Sequence, residues 1–366
     1  IDLEEARAGD VPMRFMAGLR LSEDDVAGMS KRIRDVADLK DPVGATISRW
    51  LRPNGLEIVK RRVPIGVIAI IHEVRPTFTS DAGALCIKTA NAAILRGHRC
   101  AARTSLAIVE ALKQGGASKG LPDHALQFLS TATRESIHAL VGLRGLVDLV
   151  IPRGGAELIR DVTDHARIPV LRQHRGVCHT YVDESADLAM ALNVVENAKC
   201  EGPDSCNATE TLLVHEAVAD RFLPMIEERL GARGVAFRGD DAAVRVFSGA
   251  ETARDFDWCA DYQDLLLAVK IVPNMAEAIE HINSYGAHDS DAIIAGAEGV
   301  QRAFCQKVDS AAVYVNASTR FTDGAEFGMG VDVGVSTDKI HARGPMGLEE
   351  LTTYKYLVHG KGQMRE

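Results

Sequence analysis

A chain of 366 residues with 46% apolar residues, 25% charged residues and a formal net charge of −9 has the composition of an ordinary globular protein. This length favours two hydrophobic cores rather than one. No apolar run of about 18 residues is present to span a bilayer, and no cluster of Lys and Arg interleaves with aromatic residues. We therefore expect a soluble protein with no membrane partner and no nucleic-acid partner.

The cysteines favour a reducing compartment. Their number is odd and their spacing shows no pairing, which indicates reduced thiols in a cytoplasm. No Cys-x-x-Cys motif and no cluster of His and Cys at metal-ligand spacing is present, so no metal site is expected. The seven cysteines are Cys86, Cys100, Cys178, Cys200, Cys206, Cys259 and Cys305.

The N-terminal part predicts surface helices followed by a hairpin. Ile1–Gly9 resembles the interior of a charged helix, so further N-terminal sequence is expected in the native chain. Residues 11–40 contain Ser22 as a helix N-cap. Apolar residues follow it at helical spacing, namely Val26, Met29, Ile33 and Val36.

Two β-rich runs, ISRWL and LEIVKRR, flank Asn54-Gly55, which is the strongest short-range signal for a hairpin. A projecting hairpin needs a partner along its edge, which favours a homo-oligomer. The β-prone run TTYKYLV near the C-terminus is able to pair with this hairpin.

Residues 65–176 alternate between strands and helices. The run VPIGVIAIIHEVRP lacks polar alternation and is typical of a parallel strand buried on both faces. The remaining elements are helices at 80–90, 105–114 and 133–140 and strands at 92–96, 125–129 and 147–151. This order predicts an open parallel sheet with ligands at the carboxyl ends of its strands. The Gly154-Gly155 turn is able to present N–H groups to a phosphate, although plain turn geometry also explains two glycines.

A second α/β alternation begins at Thr209, after the segment NAKCEGPDSCNATETLLVH. Cys206 lies in this segment between Gly202-Pro203-Asp204 and Asn207-Ala208, which are residue types typical of a loop. We expect Cys206 to lie at the junction of the two domains, where clefts form.

The loop around Cys206 favours a thiol that a substrate can reach. The thiolate is the reactive form, and it is stabilised by positive groups and helix N-termini; Lys199 and the backbone amides after Cys206 are candidates for this role. A small buried hydrophobe is our interpretation of the other six cysteines, and for Cys206 both roles remain open. A dinucleotide-type sheet combined with a cysteine suggests hydride transfer at a carbon held on sulfur.

Seven stretches, in order along nearly the whole chain, resemble the γ-glutamyl phosphate reductases. This branch of the aldehyde dehydrogenase superfamily is also called glutamate-5-semialdehyde dehydrogenase. The stretches are RRVPIGVIAIIHEVRP, ALCIKTANAAILRG, VDLVIPRGGAELI, GVCHTYVDESADL, NAKCEGPDSCNATETLLVH, VDSAAVYVNASTRFTDGAEFGMG and HARGPMGLEELTTYKY. The runs STRFTDG and HARGPMGLEELTTYK are specific to this branch.

The resemblance implies an aldehyde-dehydrogenase-like α/β fold in three parts. A cofactor-binding domain with a parallel sheet is expected at 1–46 and 65–176, and an α/β catalytic domain carrying Cys206 at 177–338. A small oligomerisation hairpin and the C-terminal tail are expected at 47–64 and 339–366.

The resemblance also implies an activity, namely NADPH-dependent reduction of γ-glutamyl phosphate to glutamate 5-semialdehyde and phosphate in proline biosynthesis. Cys206 is then the nucleophile that forms a thioester, and Asn207 is its neighbour in the catalytic loop. The Cys206 backbone N–H is a donor for the oxyanions on this path. Reduction of another acyl phosphate or acyl-CoA remains open, as does a catalytically weak partner of glutamate 5-kinase, fused or associated.

Binding residues follow from the same resemblance. The cofactor candidates are Arg96, Pro152, Gly154, Gly155 and Asp261, and the substrate candidates are Ser318, Thr319, Arg320 and Lys199. Arg96 is expected near the adenosine ribose or its 2′-phosphate, with a surface salt bridge as the alternative. Arg320 is suited to the substrate α-carboxylate because arginine binds carboxylates bidentately, with a structural role as the alternative.

Several positions depart from the branch pattern. Where the branch has Arg-Pro-Asn, this chain has Thr77 in place of Asn, and where the branch has Lys-Thr-Gly-Asn, it has Ala90 in place of Gly. The branch motif Gln-Arg-Pro is replaced by Glu201-Gly202-Pro203, and Gly-Ser-x-His-Ser-Asp is replaced by GAHDSD at 286–291. The lost positive charge beside Cys206 is expected to raise its pKa and to weaken phosphate binding. Residues 172–176 read RQHRG where aldehyde-oxidising relatives have the Glu of Glu-Leu-Gly-Gly, as expected of a reductase.

Overall fold

The structure of the chain is a computed structural model. It describes residues 2–8, 16, 18–73, 75–131, 133–173 and 176–365. The helices are α1 (Asp2–Ala8), α2 (Glu23–Asp38), α3 (Pro76–Lys88), α4 (Ala102–Ala117), α5 (Arg134–Val141), α6 (Ala156–His165), α7 (Leu188–Cys200), α8 (Glu216–Gly231), α9 (Asp241–Val246), α10 (Met275–Tyr285) and α11 (Glu298–Lys307). Short 3-10 helices lie at Arg99–Ala101, Asp255–Cys259 and Thr319–Phe321.

The strands complete the list of regular elements. They are β1 (Thr46–Leu51), β2 (Glu57–Pro64), β3 (Val67–His72), β4 (Ala92–Arg96), β5 (Leu126–Phe128), β6 (Leu149–Arg153), β7 (Cys178–Val182), β8 (Thr209–His215), β9 (Ala236–Gly239), β10 (Glu251–Thr252), β11 (Leu266–Val272), β12 (Ser290–Ile294), β13 (Ala312–Val315), β14 (Val335–Ser336), β15 (Gly344–Pro345) and β16 (Thr352–His359). Within the described part of the chain, no helix has the length and apolar character needed to cross a membrane.

The chain divides into two compact units. The first unit contains Ile1–Gln173, Gly324–Gly334 and Asp338–Glu366, and the second contains His174–Asp323 and Val335–Thr337. The first unit is therefore built from segments that are far apart in sequence, whereas the second is almost continuous.

A four-stranded parallel sheet with the order β5-β4-β3-β6 forms the centre of the first unit. Ile68 and Ile70 of β3 pack in one buried cluster with α3, whereas Ala69 and Ile71 pack in another with α5 and α6. Alternate residues of one strand thus enter two cores, so the sheet is covered on both faces, as the apolar run predicted.

Helix α2 begins at Ser22, whose side chain accepts a hydrogen bond from the Asp25 N–H in a capping box, which confirms the predicted N-cap. Met29 and Val36 are buried on its inner face. Val26, the first apolar residue of the predicted helical spacing, is 50% exposed. The predicted helical content of 11–20 falls mostly outside the described residues.

The predicted hairpin forms an antiparallel sheet with the order β1-β2-β16. Gly55 in its turn has a φ of +84°, the region that favours glycine. Strand β16 pairs with β2 from Thr352 opposite Pro64 to His359 opposite Glu57, which confirms that the C-terminal run joins the early hairpin. Large apolar side chains are exposed on this sheet, namely Ile47, Trp50, Leu51, Tyr354, Tyr356 and Val358.

The second unit contains a seven-stranded sheet, β10-β9-β11-β8-β7-β12-β13, in which every pairing is parallel. Tyr181 and Leu213 enter one core cluster, whereas their neighbours Val182 and Leu212 enter another, so this sheet is also covered on both faces. Helix α9 was not predicted, because six residues are too few to show a helical period.

Candidate active site

Two consecutive turns position Cys206. Helix α7 ends at Cys200, and the Ser205 N–H donates 3.0 Å to the Gly202 carbonyl in the first turn. The Ala208 N–H then donates 3.0 Å to the Ser205 carbonyl in the second turn, which contains Cys206. The Cys206 side chain is partly exposed. The thiol thus lies on a tight loop that leads directly into β8.

This loop lies at the amino ends of the strands of its sheet. Cys178 and Thr209 are the first residues of β7 and β8 and lie opposite each other in the pairing. The buried Cys178 Sγ donates 3.3 Å to the Cys206 carbonyl, and burial raises the Cys178 pKa far above its usual value. The protonated Cys178 thiol therefore holds the backbone carbonyl of Cys206 in place. The sequence did not indicate this contact.

Asn207 is fixed by the segment after β13. Its Nδ2 donates 2.9 Å to the Thr322 carbonyl and 3.4 Å to the Arg320 carbonyl, and its Oδ1 accepts from Arg320 Nη1. The Thr319 hydroxyl donates 2.6 Å to the Asn207 carbonyl. Because these bonds occupy the side-chain amide of Asn207, the geometry favours a positioning role for this residue over a catalytic one.

The Arg320 guanidinium lies beside Gly202. A Cβ at position 202 would approach Arg320 Nη2 to 3.2 Å and Ser205 Oγ to 3.1 Å, and Gly202 has a φ of +71°. Among the described residues, the buried Arg320 Nε has no hydrogen-bond partner. Arg320 therefore places a positive charge next to the Cys206 loop, on the side where the branch arginine is replaced by glycine.

Ser318 and Thr319 are buried, and their side chains form hydrogen bonds with backbone groups. Ser318 Oγ accepts from the Arg320 N–H at 3.2 Å, and the Thr319 hydroxyl is committed to Asn207 and lies 3.4 Å from Thr209 Oγ1. Of the three substrate candidates in this segment, Arg320 alone keeps side-chain atoms that are not committed to the protein. Its neighbours hold it in place.

The prediction that Lys199 activates the thiol or binds substrate is wrong. Its side chain is fully buried, and Nζ lies 2.6 Å from Oε2 of Glu210, which is also buried. Burial raises the Glu210 pKa to about 7, against the opposing effect of the lysine charge. Lys199 therefore neutralises a core carboxylate, and no position in α7 revealed that its side chain points inward.

Asp261 lies in the loop before β11. Its Oδ2 accepts from Gln263 Nε2 at 2.9 Å, and Gln263 has a φ of +54°, which is unusual for a residue with a side chain. The Gln263 side chain thus orients the Asp261 carboxylate, which is compatible with the predicted role of Asp261 in cofactor binding.

The cofactor candidates of the first unit lie at the carboxyl ends of its strands, as predicted. Arg96 ends β4 and is 6% exposed, and its Nε has no hydrogen-bond partner among the described residues. His72 ends β3, where burial lowers its pKa to about 4, so the imidazole is neutral. A buried, charged and incompletely bonded arginine at this edge fits a phosphate-bearing cofactor.

The Gly154-Gly155 turn holds an anion in this structure. The Gly155 N–H donates 2.9 Å to a carboxylate oxygen of Glu73, and a Cβ at Gly154 would lie 2.7 Å from the Glu73 carboxyl carbon. Pro152, in β6, is buried directly before this turn. The turn at the start of α6 thus accepts negative charge, as the proposed pyrophosphate position requires. Sequence reasoning missed Glu73 because it lies 82 residues away.

The positions that depart from the branch pattern differ in backbone conformation and in hydrogen bonding. Ala90 has a φ of +55° directly after α3, and His288 has a φ of +59° directly before Asp289. Ser290 Oγ donates 2.7 Å to Asp289, and the Thr77 carbonyl accepts from Ser80 Oγ at 2.6 Å. In the RQHRG segment, positions 174 and 175 lie outside the described residues.

Comparisons with known proteins agree with this arrangement. The model of the aldehyde dehydrogenase family matches residues 17–246. A γ-glutamyl phosphate reductase of Caldanaerobacter subterraneus is 46% identical over 365 residues, which cover 100% of this chain and 88% of that relative. The crystal structure of the γ-glutamyl phosphate reductase of Thermotoga maritima is 44% identical with a TM-score of 0.97 and covers 100% of this chain and 88% of its own.

A more distant structure shows the fold alone. The acetylating aldehyde dehydrogenase of Geobacillus thermoglucosidasius is 16% identical with a TM-score of 0.68, over 100% of this chain and 97% of its own. Family membership implies a nicotinamide dinucleotide cofactor. By its sequence over the full length and by its fold, the chain belongs to the γ-glutamyl phosphate reductase branch of the aldehyde dehydrogenase family.

Proposed function

We propose that this chain catalyses the NADPH-dependent reduction of γ-glutamyl phosphate to glutamate 5-semialdehyde, with release of phosphate, in cytoplasmic proline biosynthesis. The observation that carries the proposal is the Cys206 loop, which presents a partly exposed thiol and whose Gly202 lies beside the Arg320 guanidinium. The 46% identity to a γ-glutamyl phosphate reductase over the full length supports the same substrate.

The Cys206 thiolate attacks the acyl phosphate carbonyl, and the C–O bond to phosphate breaks to leave a thioester on sulfur. Backbone N–H groups of the loop stabilise the tetrahedral oxyanion. When bound, a nicotinamide dinucleotide would supply the hydride for reduction of the thioester carbonyl carbon; the C–S bond then breaks, which releases the aldehyde and returns the Cys206 thiolate. In the first unit, Arg96 would hold its ribose or 2′-phosphate, and the Gly154-Gly155 turn would hold its pyrophosphate in place of the Glu73 carboxylate. Asp261 is a separate candidate for a ribose hydroxyl.

Arg320 binds the substrate through its uncommitted guanidinium nitrogens. The Asn207 Oδ1 accepts from one side of the guanidinium and leaves the rest to an incoming carboxylate. Its charge also offsets Glu201 and Asp204 near the thiol. Because Asn207, Ser318 and Thr319 fix this segment, we assign them positioning roles.

The exposed apolar side chains of the β1-β2-β16 sheet support assembly with a second copy of the chain. Trp50 and Tyr356 meet edge to face on this sheet with their ring centroids 6.2 Å apart. Aromatic residues of this kind are enriched in the buried centres of protein interfaces. The sheet is thus the proposed oligomerisation element.

The reverse reaction tests the proposal. Wild-type protein is expected to oxidise glutamate 5-semialdehyde with NADP⁺ only when phosphate is present. Cys206→Ala is expected to lower kcat by at least about 10³-fold because the covalent path is lost. Cys259→Ala, at an exposed cysteine, is the matched control and should keep full activity.

Other outcomes would point to different functions. Activity that survives Cys206→Ala contradicts the nucleophile assignment. Activity with CoA in place of phosphate favours an acyl-CoA reductase. A folded wild-type protein that is inactive with both co-substrates favours the role of a binding partner for glutamate 5-kinase.

A further inference from the structure

Helices α5 and α6 of the first unit bring two histidines and one aspartate together. One donor atom from each of His138, Asp161 and His165 lies within 4.8 Å of the other two. His138 Nε2 lies 2.9 Å from Asp161 Oδ1, and His165 Nδ1 lies 3.4 Å from the same oxygen. The two imidazole rings stack with their centroids 3.7 Å apart. This cluster takes no part in the proposed reaction.

The donor set and spacing suit a divalent transition metal. Two imidazoles and a carboxylate are the ligands that Zn²⁺ accepts with one coordination position left for water. With bonds of about 2.0–2.1 Å, tetrahedral ligands lie about 3.4 Å apart, and the separations of 2.9 and 3.4 Å already bracket that value. The two imidazole donors lie within 4.8 Å of each other, so the two rings would rotate to close the site around an ion.

The surroundings of the cluster also favour a cation. His138 and His165 lie in the last turns of α5 and α6, where the negative ends of the helix dipoles attract positive charge. Within the described part of the chain, Asp161 has ion-pair partners only among these two histidines, so no Lys or Arg side chain neutralises it. The two histidine side chains are 34% and 48% exposed, which leaves an entry path from solvent.

A contact within α6 orients one of the candidate ligands. His165 Nδ1 lies 2.8 Å from the Asp161 carbonyl, one helical turn earlier. This hydrogen bond uses the same Nδ1 that lies 3.4 Å from Asp161 Oδ1, so a metal ion bound at Nδ1 would replace it. His165 is thus held toward Asp161 before any ion binds, which lowers the entropy cost of assembling the site.

We propose that His138, Asp161 and His165 form a Zn²⁺ site that ties α5 to α6. The experiment is calorimetric titration of tag-free full-length chain with Zn²⁺, in a Cys206→Ser background that removes a competing thiol. One equivalent is expected to bind per chain. His165→Gln and Asp161→Asn are each expected to weaken binding at least tenfold, whereas His124→Gln, at an exposed histidine of the same unit, should leave it unchanged.

A spectrum and a melting curve complete the test. Co²⁺ bound at this site should give visible bands of a tetrahedral ion without the near-ultraviolet band of a thiolate ligand. Zn²⁺ should raise the melting temperature of the background protein and not that of the His165→Gln variant. Equal isotherms for all variants, the absence of zinc binding, or a thiolate band would each overturn the proposal. Because no step involves Cys206, these outcomes are independent of the proposed reaction.

Discussion

Ala90 occupies a backbone position that usually belongs to glycine. Its N–H donates to the Ile87 carbonyl and the Asn91 N–H donates 2.9 Å to the Cys86 carbonyl, the bond pattern of a Schellman motif at the end of α3. Residue C′ of this motif requires a positive φ, and Ala90 has +55°. The glycine of related proteins at this position therefore has a conformational reason, and this chain retains the conformation with a side chain present.

Ala90→Gly is expected to stabilise the first unit by about 1 kcal/mol. Relief of the left-handed strain is worth about 1–2 kcal/mol, whereas the added freedom of the unfolded chain costs about 0.4–1 kcal/mol. Urea unfolding followed by Trp50 fluorescence in a Trp258→Phe background measures the change. Ala107→Gly, at an exposed alanine within α4, should instead destabilise by about 1 kcal/mol. Equal effects at both positions would contradict the strain argument.

The sequence predicted the chemistry of the site better than it predicted the contacts within the site. Cys206 and Arg320 were both predicted as site residues from residue type, flanking sequence and family motif, and they stay predictions. Lys199 was misassigned because the sequence does not show that its helix face meets a buried glutamate. Glu73 and Cys178 were missed because their partners lie 82 and 28 residues away. Contacts of this kind depend on how strands are ordered in a sheet, which local patterns do not encode.

At the scale of elements, the three-stranded sheet joins the most distant parts of the first unit and leaves an apolar surface. We expect Tyr356→Lys to reduce the native mass to that of a monomer, because a charge would be buried in the proposed interface. Mass photometry or light scattering measures the result. Leu146→Lys is the matched control, since Leu146 is 69% exposed outside this sheet. A variant that keeps the wild-type mass would exclude the sheet as the interface.

Long apolar strands were predicted well, and short or distant features were not. The parallel strands β3, β8 and β12 follow from apolar runs that mark burial on both faces. The six residues of α9 show no period, and the pairing of His138 with Asp161 spans 23 residues on two helices. The expectation of no metal site rested on spacing along the chain, whereas the proposed zinc site would use ligands from two helices.

At the scale of the whole molecule, the buried Lys199–Glu210 pair makes the stability of the second unit depend on pH. The Glu210 pKa rises from its usual 4.5 to about 7 on folding, so the folded state binds the proton more tightly. This contribution is fully present below pH 4.5 and is lost as the pH rises through 7. His281 has the opposite effect, because burial lowers its pKa to about 2 and acid favours its unfolded form.

A comparison with Glu210→Gln isolates the glutamate, since His281 is common to both proteins. The unfolding free energy of wild type relative to the variant is expected to fall on the order of 2 kcal/mol between pH 5 and pH 8. Trp258 fluorescence in a Trp50→Phe background reports this unit during urea unfolding. Glu298→Gln, at an exposed glutamate, serves as the control and should show a constant difference. A constant difference for Glu210→Gln as well would show that the carboxyl titrates normally.

The C-terminal segment of the first unit, Asp338–Glu366, also sets the order in which the two units complete their folding during synthesis. Ala342, Met346, Leu348 and Leu351 pack in the same core as Ile68, and the Leu351 carbonyl accepts from Asn91 Nδ2 across 260 residues. The ribosome therefore releases nearly all of the second unit before the first is able to close its core. Until then the apolar residues of β3 remain a target for chaperones and proteases. A chain terminated before residue 342 would lack part of the core of the first unit and would be degraded, even though it contains Cys206 and its loop.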